Sequence, residues 1–387
     1  MKITAVETIV VNARMRNWVF VQVRTDEPGL VGLGEATVEW RTESVVGAVH
    51  DLETLLVGED PSRIEFLWQS MYRHLFFRGG VVSLSALSGI DQALWDIKSK
   101  ALGVPLCSLL GGPVRDRLRM YDHLGGGASE AVYDDTDPTA FAERASESRE
   151  AGFTAVKILA VPMSAPLEGV SHLRRAEQLM AAARAGAGDE MDIMVDLHGR
   201  TTAAMAIQYG RVLQPFRPWF LEEPCPPEHP DGTAEVARAL QIPIAAGERL
   251  YHRTQFLPLL QQRAIAVAQP DVCHAGGISE LMRIANLCEA FGVSVAPHNP
   301  LGPVATMVNV HLGFALHNFL VQEVMRGDVP WRDDVIQGGV AIRDGHVEVP
   351  TAPGIGVELD TAAAAAHPFV TSPPFRSLLA DGSVADW

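Results

Sequence analysis

Residues 192–200 read DIMVDLHGR, an apolar run closed by an acid and an imidazole two residues apart. Ile193–Val195 is too short for a helix and does not alternate with polar residues. It reads as a strand buried on both faces, the mark of a parallel sheet. The same phrase recurs in RMYDHLG (119–125), TAVKILA (154–160), PWFLEEP (218–224), IPIAAGE (242–248), AVAQPD (266–271), VSVAPHN (293–299) and FLVQEV (319–324). Helical stretches lie between them, such as PTAFAERASESREAG (138–152), TAAMAIQYGRVLQPF (202–216) and ISELMRIANLCEAFG (278–292). Eight apolar strands alternating with helices predict a closed α/β barrel rather than an open doubly wound sheet.

The strands end on chemically useful residues: Asp196, Glu222, Glu248, Asp271, His298 and Glu323. The successive gaps are 26, 26, 23, 27 and 25 residues (222 − 196, 248 − 222, 271 − 248, 298 − 271, 323 − 298). Barrel units have about that pitch, and barrel active sites lie at the C-terminal strand ends. Any one such carboxylate could be a helix cap; capping does not predict a shared phase across six.

Asp196, Glu222 and Glu248 come from neighbouring strands, and three anions at one rim require a cation between them. Hard oxygen donors with no soft ligand nearby suit Mg²⁺ better than zinc. In LEEP, periodicity does not choose between Glu222 and Glu223. Asp271 beside His298 would fix the imidazole tautomer and raise its basicity, which makes a general base. Strand alternation puts His198 on the face of Asp196. The chain has only four lysines, Lys2, Lys98, Lys100 and Lys157, so Lys157 inside an apolar strand stands out. Its plain structural reading is a buried stem whose amine reaches the strand end. His252 and His274 lack comparable support and read as loop residues. GLGEA (32–36) reads as a turn and not a nucleotide site, and GGG (125–127) as a loop after the first barrel strand. No G-x-S-x-G occurs.

Before the barrel, residues 2–12, 17–25 and 30–36 read as strands, followed by three helices, the last ending at Gly103. Residues 361–367, TAAAAAH, read as a turn or two of helix. The division expected is an α+β capping domain over 1–116, the barrel over 117–328, and a tail over 329–387 that returns to the cap. The formal net charge of −16 argues against nucleic acid. Mean hydropathy is +0.09 and no uncharged apolar run has membrane length. The opening MKITAVETIVV alternates like a strand, not a signal peptide. Four cysteines without a C-x-x-C pair read as buried thiols of a cytoplasmic protein.

The chain resembles the enolase superfamily in its mandelate-racemase-like branch, and most closely the galactonate dehydratases. The likeness runs nearly end to end, through DPSRIEFLWQSMYR, SGIDQALWDIKSKALGVPL, DLHGR, LEEP, AAGER, QPDVCHAGGISE, APHNPLGP, QEV, PGIGVELD and the terminal SVADW. The resemblance implies a modified (β/α)7β TIM barrel under a cap completed by the C-terminal tail. It implies one Mg²⁺ on Asp196, Glu222 and Glu248, which selects Glu222 in LEEP. It makes His298, with Asp271, the base that removes the proton α to a carboxylate. His198 becomes the acid that protonates the departing 3-hydroxyl, and Glu323 a carboxyl group touching substrate near the metal. The implied protein is a lyase acting on a small sugar acid, and a homo-oligomer. Many relatives carry Lys-x-Lys on the second barrel strand; Leu159 stands at the second position here, which disfavours a lysine-based racemase. Lys157, Arg16, Trp18 and Arg78 are candidates for substrate contact, the last three from the cap. The competing readings are a racemase or epimerase working through the same enediolate, and an inert barrel with a binding role.

Overall fold

The computed structural model describes residues 1–74, 76–124, 137–161, 163–371, 376–379 and 381–386; the GGG stretch at 125–127 lies outside them. The chain opens with strands β1 (Ile3–Ala13), β2 (Arg16–Thr25) and β3 (Val31–Glu35), which form an antiparallel meander. Helices α1 (Thr42–Glu53), α2 (Ile64–Arg73), α3 (Val81–Leu102) and α4 (Leu106–Leu109) follow. Gly103 ends α3 in the left-handed conformation, as a glycine beyond a helix should.

The GLGEA stretch is not a turn. Gly32 and Gly34 lie inside β3, where a Cβ would collide with the carbonyl oxygens of Ala93 and Gly89 on α3. The glycines let the helix lie directly on the strand. Gly34→Ala is therefore expected to destabilise the fold by about 3 kcal/mol, because backbone cannot move aside as a side chain can. Denaturant unfolding would show a lower midpoint at unchanged slope, and an unchanged midpoint would refute the close approach.

The barrel runs β4 (Arg117–His123), α5 (Pro138–Glu150), β5 (Ala155–Ile158), α6 (Val170–Ala187), β6 (Asp192–Asp196), α7 (Ala203–Leu213), β7 (Leu221–Glu222), α8 (Pro230–Ala239), β8 (Ile244–Ala246), α9 (Arg253–Gln261), β9 (Val267–Ala268), α10 (Gly277–Ala290), β10 (Ser294–Val295), α11 (Pro303–Ala315) and β11 (Gln322–Val324). Neighbouring strands pair in parallel from β4 through to β10, and β11 pairs with β4. A bridge between Val295 and Phe319 closes the ring, with Leu320 N–H donating to the Val295 carbonyl at 2.7 Å. No helix follows β11 before the tail strands, so the architecture is (β/α)7β under an α+β cap.

One residue from each stave fills the barrel interior: Tyr121, Ala155, Met194, Phe220, Ala245, Val267, Ala296 and Val321. Large and small side chains together make a packed floor, not a pore. The alternate residues, such as Val156, Ile193, Val195 and Leu221, face the helices. Stepping two residues beyond the floor brings each strand to the rim.

The tail contributes β12 (Ile336–Gly338), β13 (His346–Glu348), β14 (Val357–Leu359) and α12 (Thr361–Ala365). It does not go to the cap alone: β13 pairs antiparallel with the first residues of β4, adding a strand outside the ring. Further on it does reach the cap. Leu106 N–H donates to Gly354 O at 2.8 Å, and Asn12 N–H to His367 O at 2.8 Å. Among the described residues no helix is long and apolar enough to cross a membrane.

Candidate active site

The two-residue step fixes what stands on the floor. Above Tyr121, Ala155, Met194, Phe220 and Val321 come His123, Lys157, Asp196, Glu222 and Glu323. The same step resolves LEEP. Phe220 points inward, so Glu222 does as well. Glu223, with a φ of 42°, turns to an ion pair with Arg249 at 2.7 Å.

Asp196, Glu222 and Glu248 bring three carboxylate oxygens within 4.8 Å of one another. Burial, then repulsion from Asp196, pushes the Glu222 carboxyl well above its ordinary range; burial and Glu223 do the same to Glu248. Glu222 Oε2 and Glu248 Oε2 are buried without a hydrogen-bond partner. Orphaned, mutually repelling oxygens and an all-oxygen donor set fit a hard divalent cation.

Lys157 does not send its amine out to solvent. It is 1% exposed, with Nζ 2.8 Å from Glu222 Oε1, 2.8 Å from Glu323 Oε1 and 3.7 Å from Asp196 Oδ2. Burial works against its charge, but Glu222 and Glu323 more than offset that and raise its pKa. Burial alone would raise Glu323; Lys157 opposite brings it down to about 2, so it is ionised. Asn299 N–H donates to Glu323 Oε2 at 2.7 Å and fixes the carboxylate.

His298 Nδ1 lies 2.7 Å from Asp271 Oδ2, and its Nε2 faces Glu248 Oε1 at 3.8 Å. Burial lowers the pKa of His298, but the hydrogen bond and charge of Asp271 outweigh it and the net shift is upward. With Nδ1–H donated to Asp271, the Nε2 lone pair is left toward the cavity. Asp271 is itself held by Cys273 N–H at 2.7 Å.

His198 arrives beside Asp196 by a route that strand alternation does not describe. The strand stops at Asp196, whose Oδ1 accepts the His198 N–H at 2.7 Å, and His198 takes a left-handed φ of 54°. Its Nε2 ends 3.6 Å from Asp196 Oδ2. Burial and the Arg200 guanidinium hold His198 well below the ordinary histidine pKa, so it rests neutral.

Lys157, Asp196, His198, Glu248, His298 and Glu323 line a cavity of about 250 Å³, walled on the cap side by Arg16, Glu39 and Trp40. Of the cap candidates, only Arg16 belongs to it. Trp18 is fully buried in the core, with the Arg332 guanidinium over its ring at 5.6 Å. Arg78 is exposed, lies over the Tyr72 ring at 5.5 Å and is not among the residues that line the cavity. Several polar and aromatic wall residues are not expected from the sequence, among them Glu39, Trp40, His123, Arg249, Tyr251 and His274. His274 is more than a loop residue, for its Nδ1 is 3.6 Å from Asp271 Oδ2 and its Nε2 is 3.0 Å from the Thr37 carbonyl. His123 carried a signal, since it ends the first barrel strand and pairs in register with Lys157. Burial and Lys157 lower its pKa to about 4. His252 caps α9 and stacks on Tyr72.

Comparisons with known proteins identify the family. Residues 2–111 match the mandelate racemase / muconate lactonizing enzyme N-terminal domain, and residues 140–363 the enolase C-terminal domain-like family. The chain is 39% identical to a D-galactonate dehydratase of Ralstonia nicotianae and 40% identical to one of Variovorax paradoxus, each over the full length of both proteins. An enolase from Agrobacterium radiobacter, crystallised with sodium and L-malate, superposes with a TM-score of 0.90 at 32% identity, covering all of both chains. An enolase superfamily member from Salmonella Typhimurium gives 0.89 at 33% identity, covering 95% of this chain and 98% of that one. With both domain families matched and relatives alike from end to end, the chain belongs to the mandelate racemase/muconate lactonizing enzyme branch of the enolase superfamily.

Proposed function

We infer that this chain is a Mg²⁺-dependent sugar-acid dehydratase. It takes the proton α to the carboxylate of an aldonate, with galactonate the first candidate, and expels the 3-hydroxyl to leave a 2-keto-3-deoxy acid. The observation that carries the reading is the Asp271-anchored His298 facing the oxygen trio across one cavity, 3.8 Å from Glu248. Asp196, Glu222 and Glu248 would hold the ion, which would supply Lewis-acid stabilisation of the charge that grows on the substrate carboxylate. Lys157 orients that carboxylate, and Glu323 holds the Lys157 amine in place. His298 Nε2 accepts the α-proton, and Asp271 stabilises the imidazolium that forms. His198 rests neutral, and the negative charge that arrives with the substrate raises its proton affinity, so that it can donate to the leaving hydroxyl. The reading includes a homo-oligomeric cytoplasmic enzyme, supported by the family resemblance and by four buried free thiols that suit a reducing compartment. It also includes a chain divided near residues 116 and 328, supported by the start of the first barrel strand at Arg117.

The test is incubation with a panel of aldonates in heavy water with Mg²⁺. A 2-keto acid should form, and a chelator should abolish it. Substrate returned with α-deuterium and no keto acid would make the enzyme a racemase instead. His198→Asn should retain α-proton exchange while dehydration falls by about 10²-fold or more; equal loss of both would remove His198 from the acid role.

A further inference from the structure

We propose that Glu39, through its ion pair with Arg16, restricts this site to acids bearing a single carboxylate. The proposal rests on the dehydratase reading above and names the residues that meet the far end of its substrate. Three cations line the cavity among the described residues, Arg16, Lys157 and Arg249. Each already has a protein carboxylate: Lys157 has Glu222 and Glu323 at 2.8 Å, Arg249 has Glu223 at 2.7 Å, and Arg16 Nη1 has Glu39 Oε1 at 2.9 Å. The barrel end offers one carboxylate its place, beside Lys157 and the oxygen trio. At the cap end no positive charge is left over for a second.

Arg16 is 3% exposed and Glu39 19%, so their pairing is poorly screened by water. The 2.9 Å contact is one of charge and not an aligned hydrogen bond, and Arg16 Nη1 remains buried without an acceptor. An uncharged hydroxyl entering the cavity leaves the Arg16–Glu39 pair neutralised. A second carboxylate would instead meet Glu39 as a like charge. The far end of the cavity is thus built for a polyol terminus.

The experiment compares a six-carbon aldonate with the diacid of the same stereochemistry, as kcat/KM for dehydration and as affinity for the Mg²⁺-loaded protein. The wild type should prefer the monoacid by on the order of 10²-fold in both measures. Glu39→Gln, which frees the Arg16 charge, should raise the diacid-to-monoacid ratio at least about tenfold. Glu39→Ala should do the same if the amide disturbs folding, and Glu39→Asp should keep the monoacid preference. Dehydration of the monoacid with a ratio that none of these variants moves would overturn the role of Glu39 alone. Dehydration of neither acid would overturn the underlying reading, and the role of Glu39 with it.

Discussion

Replacing His298 by Asn is expected to lower kcat by about 10⁴-fold, the upper end of what a positioned base contributes, with the fold and the bound metal unchanged. Single-turnover loss of α-deuterium, with metal content measured on the same sample, checks both halves. The change removes the lone pair that faces the cavity and leaves Asp196, Glu222 and Glu248 in place. Exchange at anything near the wild-type rate would mean that another group, His198 or Lys157, takes the proton. The pH profile supplies a companion measurement. His298 must be neutral to accept a proton, and its raised pKa puts the acid limb of kcat/KM above the ordinary histidine value. The charged and titratable groups around it are Asp271, His274, Glu248, Glu323 and Lys157. Asp271→Asn takes away the largest raising influence and leaves burial opposed by Glu323, so the limb should move to lower pH while kcat falls by about 10²-fold. A limb that stays put would show that Asp271 does not govern the imidazole.

Lys157→Met is expected to be the most damaging single change to the metal-free protein. The substitution is close in size, yet it strips the counter-charge from Glu222 and Glu323, both fully buried. Removing one partner of a buried pair costs about 3–5 kcal/mol. Chemical denaturation after chelation reads this directly. Saturating Mg²⁺ should recover part of the loss, because an ion that binds only the folded state stabilises it by mass action. A loss under about 1 kcal/mol, below the range for breaking a buried pair, would mean that the amine is not the partner its 2.8 Å contacts indicate.

Much of this site is legible in the sequence because a barrel repeats itself. Carboxylates and an imidazole at a steady pitch can share a phase only if they share a rim, and Asp196, Glu222, Glu248, Asp271, His298 and Glu323 do. What spacing cannot show is where a residue points once its strand has ended. His198 reaches Asp196 through a left-handed turn, and Arg249 and His274 sit on connections whose course depends on neighbours distant in the chain. The cap is harder still. Every residue of β2 from Arg16 to Val21 is buried, so alternation separates two faces without saying what lies against each. Arg16 meets the cavity and Trp18, on the same strand, meets the core.

The cap does more than roof the barrel. Gln92 on α3 donates to the Val272 carbonyl at 3.1 Å, one residue from Asp271, and also holds the backbone of Glu35. Glu35 in turn accepts from Gly302 and Ala305 N–H at 2.8 and 2.9 Å, just beyond His298. The surface that discriminates between substrates is therefore bolted to the pair that does the chemistry. A chimera that borrows a relative's first hundred residues would import a foreign joint along with a foreign roof. Grafts that keep Glu35 and Gln92 native, and exchange only the residues facing the ligand, should retain turnover where wholesale swaps lose it.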